Sequence, residues 1–332
     1  MSEVPEIDWF EAPSLDAAIT TVKSLVQANT PFKIMSGGTD LVGAMKDRLQ
    51  DHRITSVVHI KDVPGLNRIS FENGTLHIGA AATVADVESS TVVQEKFPLL
   101  SMAAAQVASP QIRNMGTIGG NLNQRPRCWY YRSESYNCYK KGGDFCFAVT
   151  GENQYHAVLG GELCYIVHPS DTAPALVALG ATARIVGEGG ERTLPFEQYF
   201  TGPRIDVKRE NVLGPTDILA EILVPEPKPG SKGVYLKIRE RSVWDFATVS
   251  VAVQVSATNA LVDDARIVLG GVAPTPLRVP NAEAVLKGKA LDDSAARQAA
   301  EAAFLGARPM TNNGYKVDVG KELVRRALLM AV

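Results

Sequence analysis

Apolar positions change their period several times along the chain, and each change marks an element. Between residues 14 and 29, Leu15, Ala18, Ile19, Val22 and Leu25 recur at helical spacing behind Ser14, whose hydroxyl suits a helix start. Phe32-Lys33-Ile34-Met35 is short and mostly apolar, as a strand is, and Ser36-Gly37-Gly38-Thr39-Asp40 leads from it into a helix from Leu41 to Leu49. Ser56–Ile60 and Thr75–Ile78 read as strands, and Val84–Glu88 opens helical structure that continues through 97–107. Gly116–Leu122 is a second glycine turn. Residues 164–188 predict strand, helix and strand. Pro225-Glu226-Pro227-Lys228-Pro229-Gly230 punctuates the chain as a linker. Beyond it, Gly233–Arg239, Ala247–Ser256 and Ala265–Gly271 predict three antiparallel strands, and 281–308 and 317–331 predict helices.

Composition narrows the class without naming a function. A chain of 332 residues with 45% hydrophobic and 21% charged positions is an ordinary α/β or α+β protein of two or three domains. A formal net charge of −2 leaves no electrostatic footprint for nucleic acid or an anionic membrane. No apolar run approaches the roughly 18 residues a spanning helix needs. Residues 1–8 (MSEVPEID) carry neither a basic n-region nor an apolar h-region, so the expectation is a cytoplasmic chain with no signal of its own.

The four cysteines are the sharpest chemical signal. Cys128, Cys138, Cys146 and Cys164 all fall within 37 residues of a 332-residue chain. In a reducing compartment grouped thiols read as a metal site rather than as disulfides. Structural zinc usually takes cysteines in pairs about two to four residues apart. Here the intervals hold nine, seven and seventeen residues, and no C-x-x-C occurs. Four thiolates suit a [4Fe–4S] cluster, which bonds one to each iron and tolerates a long irregular loop. Eight of the chain's 22 aromatic residues lie between Cys128 and Cys164, enough for a water-excluding shell. On the residues alone the cluster is favoured, with zinc and plain buried thiols left open. His156 and His168 flank Cys164, and hydrogen-bonded or surface histidines are the expectation there, not ligands.

Two glycine turns add a second theme. Ser36–Asp40 and Gly116–Asn121 each carry glycines and a hydroxyl residue beside a helix start, where free amides favour a phosphate. Neither is G-x-G-x-x-G, and no P-loop occurs, so Rossmann and P-loop readings lose their motif. A pair of such turns suits a pyrophosphate clamped in a cleft between two lobes.

Taken together, these segments resemble the FAD subunits of molybdenum hydroxylases, the xanthine dehydrogenase and carbon monoxide dehydrogenase group. Lys33–Leu41 (KIMSGGTDL) and Arg113–Leu122 (RNMGTIGGNL) are similar to the family's two flavin loops. His168–Asp171 (HPSD) sits where the family has a flavin-contacting Asp, and 237–247 (KIRERSVWDFA) and 269–278 (LGGVAPTPLR) resemble segments of its C-terminal domain. The Arg125–Cys128 segment (RPRC) with its following cysteines resembles a subset whose flavin subunit carries an extra [4Fe–4S] cluster, represented by periplasmic aldehyde oxidoreductases and 4-hydroxybenzoyl-CoA reductases.

The resemblance implies an α+β fold. A two-lobed FAD-binding domain of the PCMH/VAO type would hold residues 1–60 and 61–227, with an inserted cysteine loop at about 124–165. A smaller α+β domain with a three-stranded antiparallel sheet would occupy 231–332. It implies FAD held by Lys33, Met35, Ser36, Gly37, Gly38, Thr39, Asp40, Val107, Gly116, Thr117, Ile118, Gly119, Gly120, Asn121 and Leu219. Asp171 would reach the sugar or ribityl chain, with a cap on the helix over 172–179 as an alternative or additional role, and Lys237 would stand near the isoalloxazine. Cys128, Cys138, Cys146 and Cys164 would ligate the cluster. No catalytic residue is expected here, because substrate chemistry would belong to a large molybdopterin subunit. A small subunit with [2Fe–2S] clusters would pass electrons to the flavin, and an external acceptor would take them. Relatives with the extra cluster reach the periplasm on a partner's signal, so co-export is the second expectation for compartment. Aldehyde oxidation leads. Aryl-CoA dehydroxylation, xanthine or N-heterocycle oxidation, a stand-alone flavin oxidase and a zinc-stapled scaffold are the alternatives.

Overall fold

The computed structural model describes residues 4, 6–49 and 54–331. Part of the stretch read for an export signal and the final residue of the C-terminal range lie outside these. The chain builds three sheets in succession. The first comes from β1 (Asp8–Glu11), α1 (Leu15–Gln27), β2 (Phe32–Met35), α2 (Leu41–Lys46) and β3 (Ser56–His59), a parallel sheet in the order β1-β3-β2. Ser14 Oγ accepts the Ala17 amide and α1 buries Ala18, Val22 and Leu25, as its periodicity required. Helix α2 ends at Lys46, short of the predicted Leu49, because the chain turns at Arg48 with φ 51°.

The second sheet is antiparallel. Its order is β4-β5-β8-β6-β7, from β4 (Ile69–Glu72), β5 (Thr75–Gly79), β6 (Thr182–Gly187), β7 (Gly190–Pro195) and β8 (Ile218–Pro225). Between β5 and β6 run α3 (Val84–Ser89), α4 (Thr91–Lys96), α5 (Pro98–Ala105), α6 (Pro110–Met115), α7 (Ile118–Leu122) and α8 (Thr172–Ala178), and α9 (Phe196–Tyr199) follows β7. No strand forms over 164–171, contrary to the periodicity; the segment is irregular and its backbone serves the cysteine loop. Strand β8 escaped the pattern because its sequence, ILAEILVP, is apolar at nearly every position and so does not alternate, although its burial does from Glu221 to Pro225.

The third sheet, in the order β12-β11-β10-β9, has four strands rather than the expected three: β9 (Lys232–Ile238), β10 (Val249–Thr258), β11 (Leu261–Gly270) and the two-residue β12 (Leu277–Arg278). It packs on α10 (Pro280–Leu286), α11 (Asp293–Ala303) and α12 (Tyr315–Met330). The single helix expected over 281–308 is broken at Gly288, whose φ is +74°. The main core, with Leu76, Phe97, Ile118, Leu176 and Ile222, also takes in Tyr235, Ala252 and Val268 of the third sheet, so that sheet's inner face is sealed onto the second layer. No helix among the described residues is long and apolar enough to cross a membrane.

Candidate functional site

Strand β2 delivers the first glycine turn and α6 the second, and the two meet backbone to backbone. A Cβ on Gly37 would lie 1.9 Å from the Met115 carbonyl oxygen, and one on Gly116 would lie 3.2 Å from Thr39 Oγ1. Gly119 is equally constrained, 2.7 Å from the Ala80 oxygen. These glycines let the two turns touch. Gly38, at φ +70°, supplies the left-handed bend, and Gly120 lines open space on both sides of the junction.

A groove runs across this junction and widens on either side. One side is a cavity of about 570 Å³, the other of about 380 Å³, and both are walled by Thr39, Asp40, Thr117, Gly120 and Gln124. The larger side adds Lys33, Met35, Ser36, Gly37, Gly38, Gly119 and Leu219; the smaller adds Val107, Gly116, Asn121 and Asp171. Two chambers that share a glycine-lined wall leave room for an extended ligand of dinucleotide size. Polar chemistry there agrees. Ser36 Oγ is buried without a hydrogen-bond partner. Lys33 faces the larger cavity and makes no salt bridge among the described residues, and burial, then the Arg125 guanidinium, lowers its pKa against the pull of Glu210. Asn121 Oδ1 accepts Ser170 Oγ at 2.5 Å and Thr172 Oγ1 at 2.7 Å, which leaves its amide free to donate.

Two expected residues line neither chamber. Ile118 is fully buried in the main core. Lys237 is buried too: its ammonium donates to Asp171 Oδ2 at 2.7 Å, the Gln106 carbonyl at 3.0 Å and the Asp245 carbonyl at 2.8 Å. Asp171 also accepts Tyr235 Oη at 2.9 Å, and burial raises its pKa against the pull of Lys237. Its side chain does not cap α8; Ser170 Oγ does that, accepting the Ala173 amide at 3.1 Å.

Periodicity missed the residues that close the smaller chamber. After β9 the chain runs irregularly, bringing Trp244 and Phe246 to the cavity wall, and the Arg127 guanidinium lies 4.7 Å from the Phe246 ring centroid. Arg127 comes from the cysteine loop. Its arm is pinned to the first glycine turn by Asp40, which accepts the Arg125 amide, Arg127 Nη2 and Arg132 Nη2, each at 2.8 Å. Farther along, buried Glu210 pairs with both Arg125 and buried Lys140.

The loop gathers all four cysteines. Cys128, Cys138, Cys146 and Cys164 line one small cavity with Tyr130, Tyr131, Phe147 and Ile166, and none is in a disulfide. Burial pushes the Cys128 thiol up to about 11 and Cys164 to about 12, and raises Cys146 as well. Backbone amides aim at the sulfurs: Tyr130 and Tyr131 at Cys128, Tyr165 and Ala148 at Cys146, Ile166 at Cys164. Such donors favour thiolates and suit a metal-bound sulfur. No three of the sulfurs lie within 4.8 Å of one another among the described residues. Each trio is therefore wider somewhere than the about 3.8 Å edge that four thiolates at about 2.3 Å from one zinc ion would have. His156 and His168 are both buried. His156 Nε2 lies 3.3 Å from Cys128 Sγ, and burial beside the Lys316 ammonium pulls its pKa to about 4, so the ring is neutral.

Comparison with known proteins places this geometry. The FAD binding domain in molybdopterin dehydrogenase matches residues 5–227, and the CO dehydrogenase flavoprotein C-terminal domain matches 234–331. The aldehyde oxidoreductase FAD-binding subunit PaoB of Escherichia coli (strain K12) is 32% identical over 305 residues, covering 90% of this chain and 91% of the relative. The carbon monoxide dehydrogenase medium chain of Hydrogenophaga pseudoflava is 29% identical over 98% of this chain and 96% of its own length. A solved structure of carbon monoxide dehydrogenase from Hydrogenophaga pseudoflava superposes with a TM-score of 0.77 at 28% identity, over 99% of this chain and 98% of that one.

Proposed function

Because the chain belongs to the family of FAD-binding subunits of molybdenum hydroxylases, we propose that it relays electrons through FAD and a [4Fe–4S] cluster to an external acceptor. Electrons would enter from a large molybdenum subunit and a small [2Fe–2S] subunit. Aldehyde oxidation to a carboxylic acid is the favoured reaction, on the likeness to the aldehyde oxidoreductase subunit. Bound FAD would supply a carrier able to exchange electrons singly or in pairs, and a cluster would supply a one-electron carrier.

The chain's own residues bind, orient and shield. Lys33, the orphaned Ser36 hydroxyl and the amides around Gly120 receive the diphosphate. Asn121, held by Ser170 and Thr172, donates to the sugar or ribityl chain. Asp171 lines the flavin chamber, but Lys237 acts behind it, clamping Asp171 to the loops at Gln106 and Asp245. Arg127 and Phe246 narrow that chamber and help exclude water.

One observation carries the cluster: four thiols, those of Cys138 and Cys164 buried and those of Cys128 and Cys146 half-buried, converge on one cavity, with backbone amides pointed at the sulfurs and spacing wider than a single zinc ion draws. The test is an anaerobic assay of iron, acid-labile sulfide and flavin on the purified chain. About four irons, four sulfides and one FAD are expected. Cys138→Ser should strip the iron and leave the flavin. Zinc without sulfide would overturn the cluster alone; a folded chain without flavin would overturn the whole reading.

A further inference from the structure

We propose that His156 is a positioning residue of the cysteine site: its Nε2–H donates to Cys128 Sγ and holds the potential of the cluster above the value the thiolates alone would set. The inference rests on the cluster reading. The imidazole stands in hydrogen-bond range of the sulfur, 3.3 Å away. Its other nitrogen, Nδ1, is buried and has no partner. A proton on Nδ1 would leave a buried donor orphaned and present a lone pair to the sulfur. A proton on Nε2 pairs the donor and leaves only an acceptor unsatisfied, which is the commoner compromise in protein interiors. The tautomer is thus decided by the surroundings.

The ring is also held in place. The His156 amide donates to the Asn153 carbonyl at 3.0 Å. Its own carbonyl accepts Asn313 Nδ2 at 3.2 Å and the buried Lys316 ammonium at 3.2 Å, and Tyr130 packs beside the ring at 6.2 Å between centroids. With the backbone of His156 fixed at both its amide and its carbonyl and Tyr130 packed beside the ring, the donor stays aimed as the cluster changes charge. Reduction adds negative charge to the cluster and its sulfurs, and a fixed donor at one sulfur stabilises the reduced form more than the oxidised form, raising the potential.

The full chain, purified with its FAD, is titrated anaerobically with EPR detection. In His156→Leu the cluster potential should fall while iron, sulfide and the flavin potential stay at wild-type values; His156→Gln, which keeps an N–H within reach, should recover part of the shift. An unchanged cluster potential in an iron-replete His156→Leu protein overturns the proposal. Should that variant lose its iron, wild-type protein carrying ¹⁵N-histidine decides by pulsed EPR of the reduced cluster. A weak imidazole coupling is expected. Its absence, or a coupling as large as a coordinated imidazole gives, overturns the proposal. A wild-type protein without acid-labile sulfide fails earlier, at the cluster reading itself.

Discussion

Gly37 and Lys237 illustrate how far single residues could be read. The glycine turns were legible because a residue without a Cβ is a local demand that needs no partner to be recognised. The reason for Gly37 was not: its missing Cβ makes room for the Met115 carbonyl, 78 residues away in sequence. Gly37→Ala should therefore wedge the turns apart, at an overpacking cost of about 1–3 kcal/mol. We expect FAD affinity to drop roughly tenfold or more, read by flavin titration of apoprotein. Lys237 was picked out by resemblance and expected beside the isoalloxazine, yet all three of its donors are spent on Asp171 and two carbonyls. Lys237→Met strands a buried carboxylate and should destabilise by about 3–5 kcal/mol in urea unfolding. Lys237→Met combined with Asp171→Asn should recover part of that loss, since the two defects share one cause.

At the scale of elements, α12 shows what periodicity carries. Its buried positions, Lys316, Gly320, Leu323, Val324, Ala327 and Leu328, keep helical spacing, and the lysine lies on the buried stripe. Lysine on such a face runs against composition rules, but the fold meets its three donors with the carbonyls of Tyr155, His156 and Gly271. The helix is thereby stapled to the end of the cysteine loop. Burial draws the Lys316 ammonium down to about 7. The unfolded chain, at about 10.4, then binds the proton more tightly than the folded one. Stability from this group is accordingly greatest above about pH 10.4 and falls as pH drops toward 7. Relative to Lys316→Met, the wild type should gain stability from pH 7 to pH 9, by at most about 1.4 kcal/mol per unit. Urea midpoints at the two values check it; a flat difference would contradict it. Strand β8 marks the opposite limit, since a sequence apolar at nearly every position has no alternation to announce which face is buried.

For the whole molecule, Asp40 is the residue that ties the cysteine loop to the groove at the glycine turns. It holds the Arg125 amide and the guanidinium groups of Arg127 and Arg132 against the first glycine turn. Asp40→Asn weakens these charged hydrogen bonds, each of which contributes about 1.5–3 kcal/mol. The expected outcome is faster limited proteolysis within 124–165 together with weaker FAD binding. Loss of one without the other would show that groove and loop are independent. The sequence by itself determined the α+β class, the two glycine turns, the order of the segments and the membership of the four cysteines in one loop, because each is written in local spacing or in a contiguous motif. Only the tertiary structure decided that Lys237 stands behind Asp171 rather than in the groove, that Arg127 meets Phe246 across the smaller chamber, and that His156 reaches Cys128. Those contacts join residues from 28 to 119 positions apart, and nothing in local spacing encodes which distant side chain the packed core will bring into reach.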